Sequence, residues 1–147
     1  MKILAFTDNR IGAVYTPSVW ANWLIDQGDV YNQWLAGSRI CDPTGGGGVF
    51  IFELINRAKV DGVTLTKELI EKLGYIEIDS SVCGLFCNSL NEAVGDLSQH
   101  MKIFNADIVM DPQDEKFDIL VGNPPWINFC NLPSEYKELL KEKFKKQ

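Results

Sequence analysis

The chain has 147 residues, 46% of them hydrophobic, which suffices for the core of one domain and excludes a disordered tail. Its 20 acidic and 14 basic residues give a formal charge of −6, which argues against a broad grip on a polyanion by this chain alone. Four scattered cysteines, Cys41, Cys83, Cys87 and Cys130, exclude a disulfide scaffold, and none forms the C-x-x-C pair of a zinc or redox site.

In chain order, Met1–Phe6 is too short for the apolar region of a signal peptide, and no stretch reaches the roughly 20 apolar residues of a membrane span. The sequence therefore reads as soluble and cytoplasmic, with no membrane partner. Residues 1–38 form a helical N-terminal segment in which Thr16-Pro17 leads into apolar Val19, Trp20, Trp23 and Leu24. That spacing predicts a helix packed across the rim of the strand-and-helix region beyond residue 38.

Residues 39–147 alternate strands and helices. Arg39-Ile40-Cys41-Asp42 is a strand that ends in a glycine run, and Val49–Ile55 is a helix leaving it. Thr66 caps a helix over Lys67–Leu73, Gly74 stops it, and Tyr75–Asp79 follows as a strand. Ser80 to about Met101 is helical, Lys102–Asn105 a short strand, Phe117–Val121 a buried strand and Pro133–Phe144 a final helix. Five lysines against two glutamates from Lys137 onward read as a solvated helix face, and His100 as a helix-end surface residue. The pattern predicts an α/β fold, a mostly parallel sheet with helices on both faces. Ligands of such sheets sit at the carboxyl ends of the strands, where Asp42, Glu77, Asp79, Asp107 and the Asn123-Pro124-Pro125-Trp126 run all fall.

Each cluster suggests a chemistry. Four successive glycines, Gly45 to Gly48, let the backbone turn sharply and approach a ligand while the next helix offers unpaired N–H groups. No lysine ends the loop as a phosphate loop requires, and Phe50 or Ile51 stands where a dinucleotide loop has its third glycine. An acid just before the turn, Asp42, suits a cofactor with an ammonium or sulfonium group. Glu77 can accept hydrogen bonds from both hydroxyls of a ribose, with Asp79 a competing candidate, and Asp107 can accept from an adenine amine. The paired prolines remove two N–H donors and leave the carbonyls of Asn123 and Pro124 free, so the loop is an acceptor array for a planar amine, with Trp126 to stack on it.

Asp42-Pro43-x-x-Gly46-x-Gly48-x-Phe50, Glu77-Ile78-Asp79, Asn105-Ala106-Asp107 and Asn123-Pro124-Pro125-Trp126, preceded by Thr16-Pro17, resemble the S-adenosylmethionine-dependent adenine-specific DNA methyltransferases of restriction–modification systems. Cofactor motifs precede the tetrad, the order of the gamma class. The resemblance runs from about Gly12 to Pro133. It implies a Rossmann-like fold in which Thr16 and the backbone of Gly46 and Gly48 contact the methionine part of the cofactor, with Asp42 near its ammonium. Pro43 and Phe50 belong to the same motif; Glu77 would hold the ribose and Asp107 the cofactor's adenine. Asn123 and the Pro124 carbonyl would bind the target amine beside Pro125, and Trp126 would stack on a flipped base. Transfer is then a direct displacement that needs neither metal nor covalent enzyme intermediate. The family's later strands, its later motifs and a target-recognition domain are absent. A fragment is therefore expected, with DNA held by a further domain or subunit. Two alternatives stay open: a methyltransferase of glutamine side chains or RNA, and a non-catalytic interaction subunit that keeps the fold.

Overall fold

The computed structural model describes residues 15–145; the Met1–Phe6 run, Gly12 and the last two residues lie outside that range. In chain order the elements are α1 (Ser18–Gln27), α2 (Val30–Leu35), β1 (Ile40–Asp42), α3 (Val49–Val60), α4 (Lys67–Ile70) and β2 (Leu73–Glu77). They continue as α5 (Ser80–Val94), β3 (Lys102–Asn105), β4 (Ile119–Leu120) and α6 (Ser134–Phe144), with short 3-10 helices at Gly95–His100 and Phe129–Asn131. The four strands form one parallel sheet in the order β3-β2-β1-β4, so the fold is the α/β type expected. No helix among the described residues is long and apolar enough to cross a membrane.

Strand periodicity distributes the core. Ile40, Leu73, Tyr75, Ile103, Ile119 and Val121 join the apolar sides of α1 to α5 in the main cluster. Cys41, Ile76 and Phe104, the alternate positions, pack with Ala106, Ile108 and Phe117 of the β3–β4 connection. That connection is tied to α6, whose Tyr136 hydroxyl donates to Asp107 at 2.7 Å and whose Lys143 donates to the Met110 carbonyl at 2.5 Å.

Boundaries differ from the sequence reading at two places for identifiable reasons. The helix over Lys67–Leu73 is only one turn, capped by Thr66, because Leu73 is fully buried and pairs with Ile40 in the sheet. Gly74 accordingly lies inside β2 rather than at a helix end, and a side chain there would overlap the Phe117 ring. The helical stretch after Ser80 reaches His100 as expected, as α5 to Val94 and then as a 3-10 helix from Gly95, which takes a φ of +60°. The strand expected over Phe117–Val121 shrinks to Ile119–Leu120, with Leu120 exposed, because β4 is an edge strand paired only with β1.

The N-terminal helix also presents a different side. Val19, Trp20, Trp23 and Leu24 are exposed, and α1 buries Ala21 and Ile25 instead. Polar anchors set this face: Arg57 of α3 donates to the Asn22 side chain at 2.6 Å and pairs with Asp26 at 2.5 Å, while Asn22 donates to Glu53 at 2.8 Å. Burying the indoles would require breaking that network, whose guanidinium needs its partners.

Candidate functional site

The sheet order creates the crevice. The chain builds outward from β1 through β2 to β3, then returns to add β4 on the other side of β1. Loops leaving β1 and β4 therefore diverge at their carboxyl ends, the place where open parallel sheets hold ligands.

Asp42 ends β1 and is almost wholly buried. Burial pushes its carboxyl up to about 7; the Thr44 N–H at 3.2 Å pulls the other way, and the charge of Glu77 adds to the rise. The chain from β4 crosses directly over this acid at Gly122, where a Cβ would come within 2.7 Å of Asp42 Oδ1. Only a glycine lets the two loops approach so closely.

The glycine loop is held from below. Tyr75 and Phe86 stack with rings 3.7 Å apart and 1° from parallel. A side chain on Gly45 would overlap the Tyr75 ring and one on Gly48 the Phe86 ring, so the loop lies on an aromatic floor. Gly46 and Gly48 also adopt φ of +49° and +77°. Both backbone polar groups of Gly46 are held: its N–H donates to Glu77 Oε2 at 2.8 Å, and its carbonyl accepts from the Tyr75 hydroxyl at 2.6 Å. Glu77 Oε1 accepts the Asp79 N–H at 2.8 Å.

The structure separates the two acids left open by the sequence. Asp79 is the N-cap of α5 and accepts from the N–H groups of Ser81 and Val82, whereas Glu77 points to the loop. Asp107, beyond β3, uses both oxygens inside the fold, accepting from the Val109 and Met110 N–H groups and from Tyr136.

Thr16, Asp42, Gly46, Phe50 and Asn123 line one cavity together with Thr44. Pro43 instead lines a second cavity with Cys41 and Ile76, while Glu77, Asp107 and Trp126 line neither of the two. Asn123 donates its side-chain N–H to the Thr16 hydroxyl at 3.2 Å, which leaves the amide oxygen as an acceptor. Among the described residues no hydrogen bond ends on the Asn123 or Pro124 carbonyl; the Pro125 carbonyl accepts from Ile127. Trp126 is 87% exposed.

Several site residues escaped the sequence reading. Thr44 Oγ1 is buried in this cavity with no hydrogen-bond partner, a costly arrangement that a polar ligand would relieve. Tyr75, two residues before Glu77 on the same face of β2, carried a usable signal in the strand period of two. Tyr15, whose ring lies 3.6 Å from a Cβ built on Gly47, had none.

Comparison with known proteins matches residues 55–147 to the Eco57I restriction-modification methylase family. That range includes Glu77, Asp107 and Asn123–Trp126, while Thr16 and the glycine loop precede it. The Type II methyltransferase M.HincII of Haemophilus influenzae is 26% identical over 105 residues, covering 71% of this chain and 16% of that protein. The Type II methyltransferase M.HindII of Haemophilus influenzae (strain ATCC 51907 / DSM 11121 / KW20 / Rd) is 26% identical over 105 residues, covering 71% of this chain and 15% of its own length. The chain thus spans about one sixth of the length of the curated relatives it matches.

Proposed function

The chain belongs to the Eco57I restriction-modification methylase family, and from that premise we propose that it is the cofactor-binding part of an adenine-specific DNA methyltransferase. The observation that carries this reading is the Asn123–Pro124 acceptor pair, joined through Thr16 to the cavity over Asp42. An orphaned hydroxyl, a buried acid and a glycine cradle fit S-adenosylmethionine. When bound, that cofactor supplies an electrophilic methyl carbon on a sulfonium.

The chain's own residues then divide the work. Asp42, ionised, faces the ammonium of the methionine part, and Thr16, Thr44 and the loop backbone surround it. Glu77 is held ready for the ribose hydroxyls by its bonds to Gly46 and Asp79. Asp107 keeps lone pairs for an adenine amine even while it accepts internal donors.

Asn123 Oδ1 and the Pro124 carbonyl accept the two hydrogens of a target amine. The adenine amine is a poor nucleophile because its lone pair is delocalised into the ring; two acceptors favour the tetrahedral form that attacks. Trp126, exposed beside them, offers a stacking face for a base turned out of the duplex. DNA as substrate follows the family rather than the glutamine or RNA alternatives, and its phosphates are gripped outside these residues, given the charge of −6.

Single substitutions test the division. Asp42→Ala removes a charged contact and weakens S-adenosylmethionine binding by roughly tenfold or more, whereas Asn123→Ala leaves it within about twofold, both read by calorimetry. The reverse pattern would mean that the cofactor and target sites are exchanged.

A further inference from the structure

We propose that Tyr75 is a positioning residue of the cofactor site, its hydroxyl fixing the Gly46 carbonyl so that the glycine loop and Glu77 present one continuous surface to S-adenosylmethionine. This rests on the function proposed above and extends it to a residue outside the motifs that carry the family resemblance.

Three independent contacts converge on this one side chain. Its hydroxyl donates to the Gly46 carbonyl at 2.6 Å. Its ring stacks on Phe86 at 3.7 Å, which fixes the height of the floor. The absence of a Cβ on Gly45 lets the loop settle onto that ring. Burial holds the phenol well above its ordinary range, so it stays an O–H donor at any working pH.

The grip matters because Gly46 has no side chain to define its orientation. Its φ of +49° is one of several a glycine can take, and a free loop would sample others. Tyr75 holds the Gly46 carbonyl, in the peptide to Gly47, and Glu77 the Gly46 N–H, in the peptide from Gly45, so the two planes that flank the Gly46 Cα are set before ligand arrives. Glu77 gains in return, because a fixed Gly46 N–H fixes one carboxylate oxygen and leaves its second lone pair for a ribose hydroxyl.

Tyr75→Phe in the full chain removes only the hydroxyl and keeps the ring stack. Its affinity for S-adenosylmethionine, read by calorimetry where both proteins are folded, falls roughly five- to tenfold. Tyr31→Phe is the structural control: it also deletes one tyrosine hydroxyl bond, that to Asp61 at 2.8 Å, but away from the loop. Each variant loses one hydroxyl, and only Tyr75→Phe loses affinity. Equal affinities for Tyr75→Phe and wild type overturn the proposal, as does an equal loss in Tyr31→Phe. A readout without cofactor is the Gly46 amide resonance in 15N-labelled chains. It moves in Tyr75→Phe relative to wild type; an unmoved signal overturns the positioning role. A wild-type chain that binds no cofactor sinks the function proposed above instead, so the two failures are distinct.

Discussion

Affinity for S-adenosylmethionine rises by roughly tenfold per pH unit between about pH 5 and pH 7 and then stops rising through this group. The cause is Asp42. Burial raises its carboxyl to about 7 in the empty protein, so below that pH the acid is mostly neutral. A cationic ligand group at the same place favours the carboxylate, and binding therefore expels a proton. Calorimetry in buffers of different ionisation enthalpy reads this release directly. Stability of the empty protein runs the opposite way. A carboxyl whose folded value lies above its unfolded value favours folding when protonated, so this contribution is present below the unfolded value near 3.8. It is lost as pH rises through about 7. Asp42→Asn, which keeps the acceptor for the Thr44 N–H, flattens both profiles and weakens binding at pH 8. An unchanged pH slope in that variant would remove Asp42 from the ligand's cationic group.

Gly48→Ala destabilises the protein by about 2 to 5 kcal/mol, combining left-handed backbone strain of about 1 to 2 kcal/mol with overpacking of about 1 to 3 kcal/mol. Its φ is +77°, and the added methyl would meet the Phe86 ring and lie 3.0 Å from Phe52. For a chain of this size the melting temperature drops by roughly 5 to 15 °C. Gly45→Ala meets the Tyr75 ring without the φ strain and costs less. Gly46→Ala carries strain at φ +49° but has only the Thr44 carbonyl, 4.0 Å away, for a neighbour. Gly47→Ala touches only Tyr15 at 3.6 Å and shifts stability by no more than about 0.5 kcal/mol. Thermal melts of the four variants give this ranking if the aromatic floor dictates the glycines. Equal, small effects at all four would mean that ligand approach alone accounts for the run.

Much of the rim was legible because strands ending in acids or in Asn-Pro-Pro are local patterns. Asp42, Glu77 and Asn123 all lie at the carboxyl ends or exits of neighbouring parallel strands, as their sequence context implies. That Glu77 rather than Asp79 faces the glycine loop needed the structure, since it depends on α5 beginning at Ser80 and claiming Asp79 as its cap. The exposed side of α1 was illegible for another reason. Its orientation is fixed by Arg57, 35 residues from Asn22, and apolar spacing within ten residues carries no information about that partner. Gly74 misled because a glycine after a helical pattern most often ends it, whereas here the Phe117 ring, from a distant loop, requires the missing side chain. The aromatic floor likewise joins β2 to α5, a contact that only the β-α-β packing creates.

Calorimetric titration of the folded wild-type chain with S-adenosylmethionine near pH 8 is the most direct test of the cofactor site. A saturable heat with one site per chain, weakened by roughly tenfold or more in Asp42→Ala, is the predicted result. No heat at millimolar cofactor, from a sample shown by circular dichroism to be folded, would contradict it.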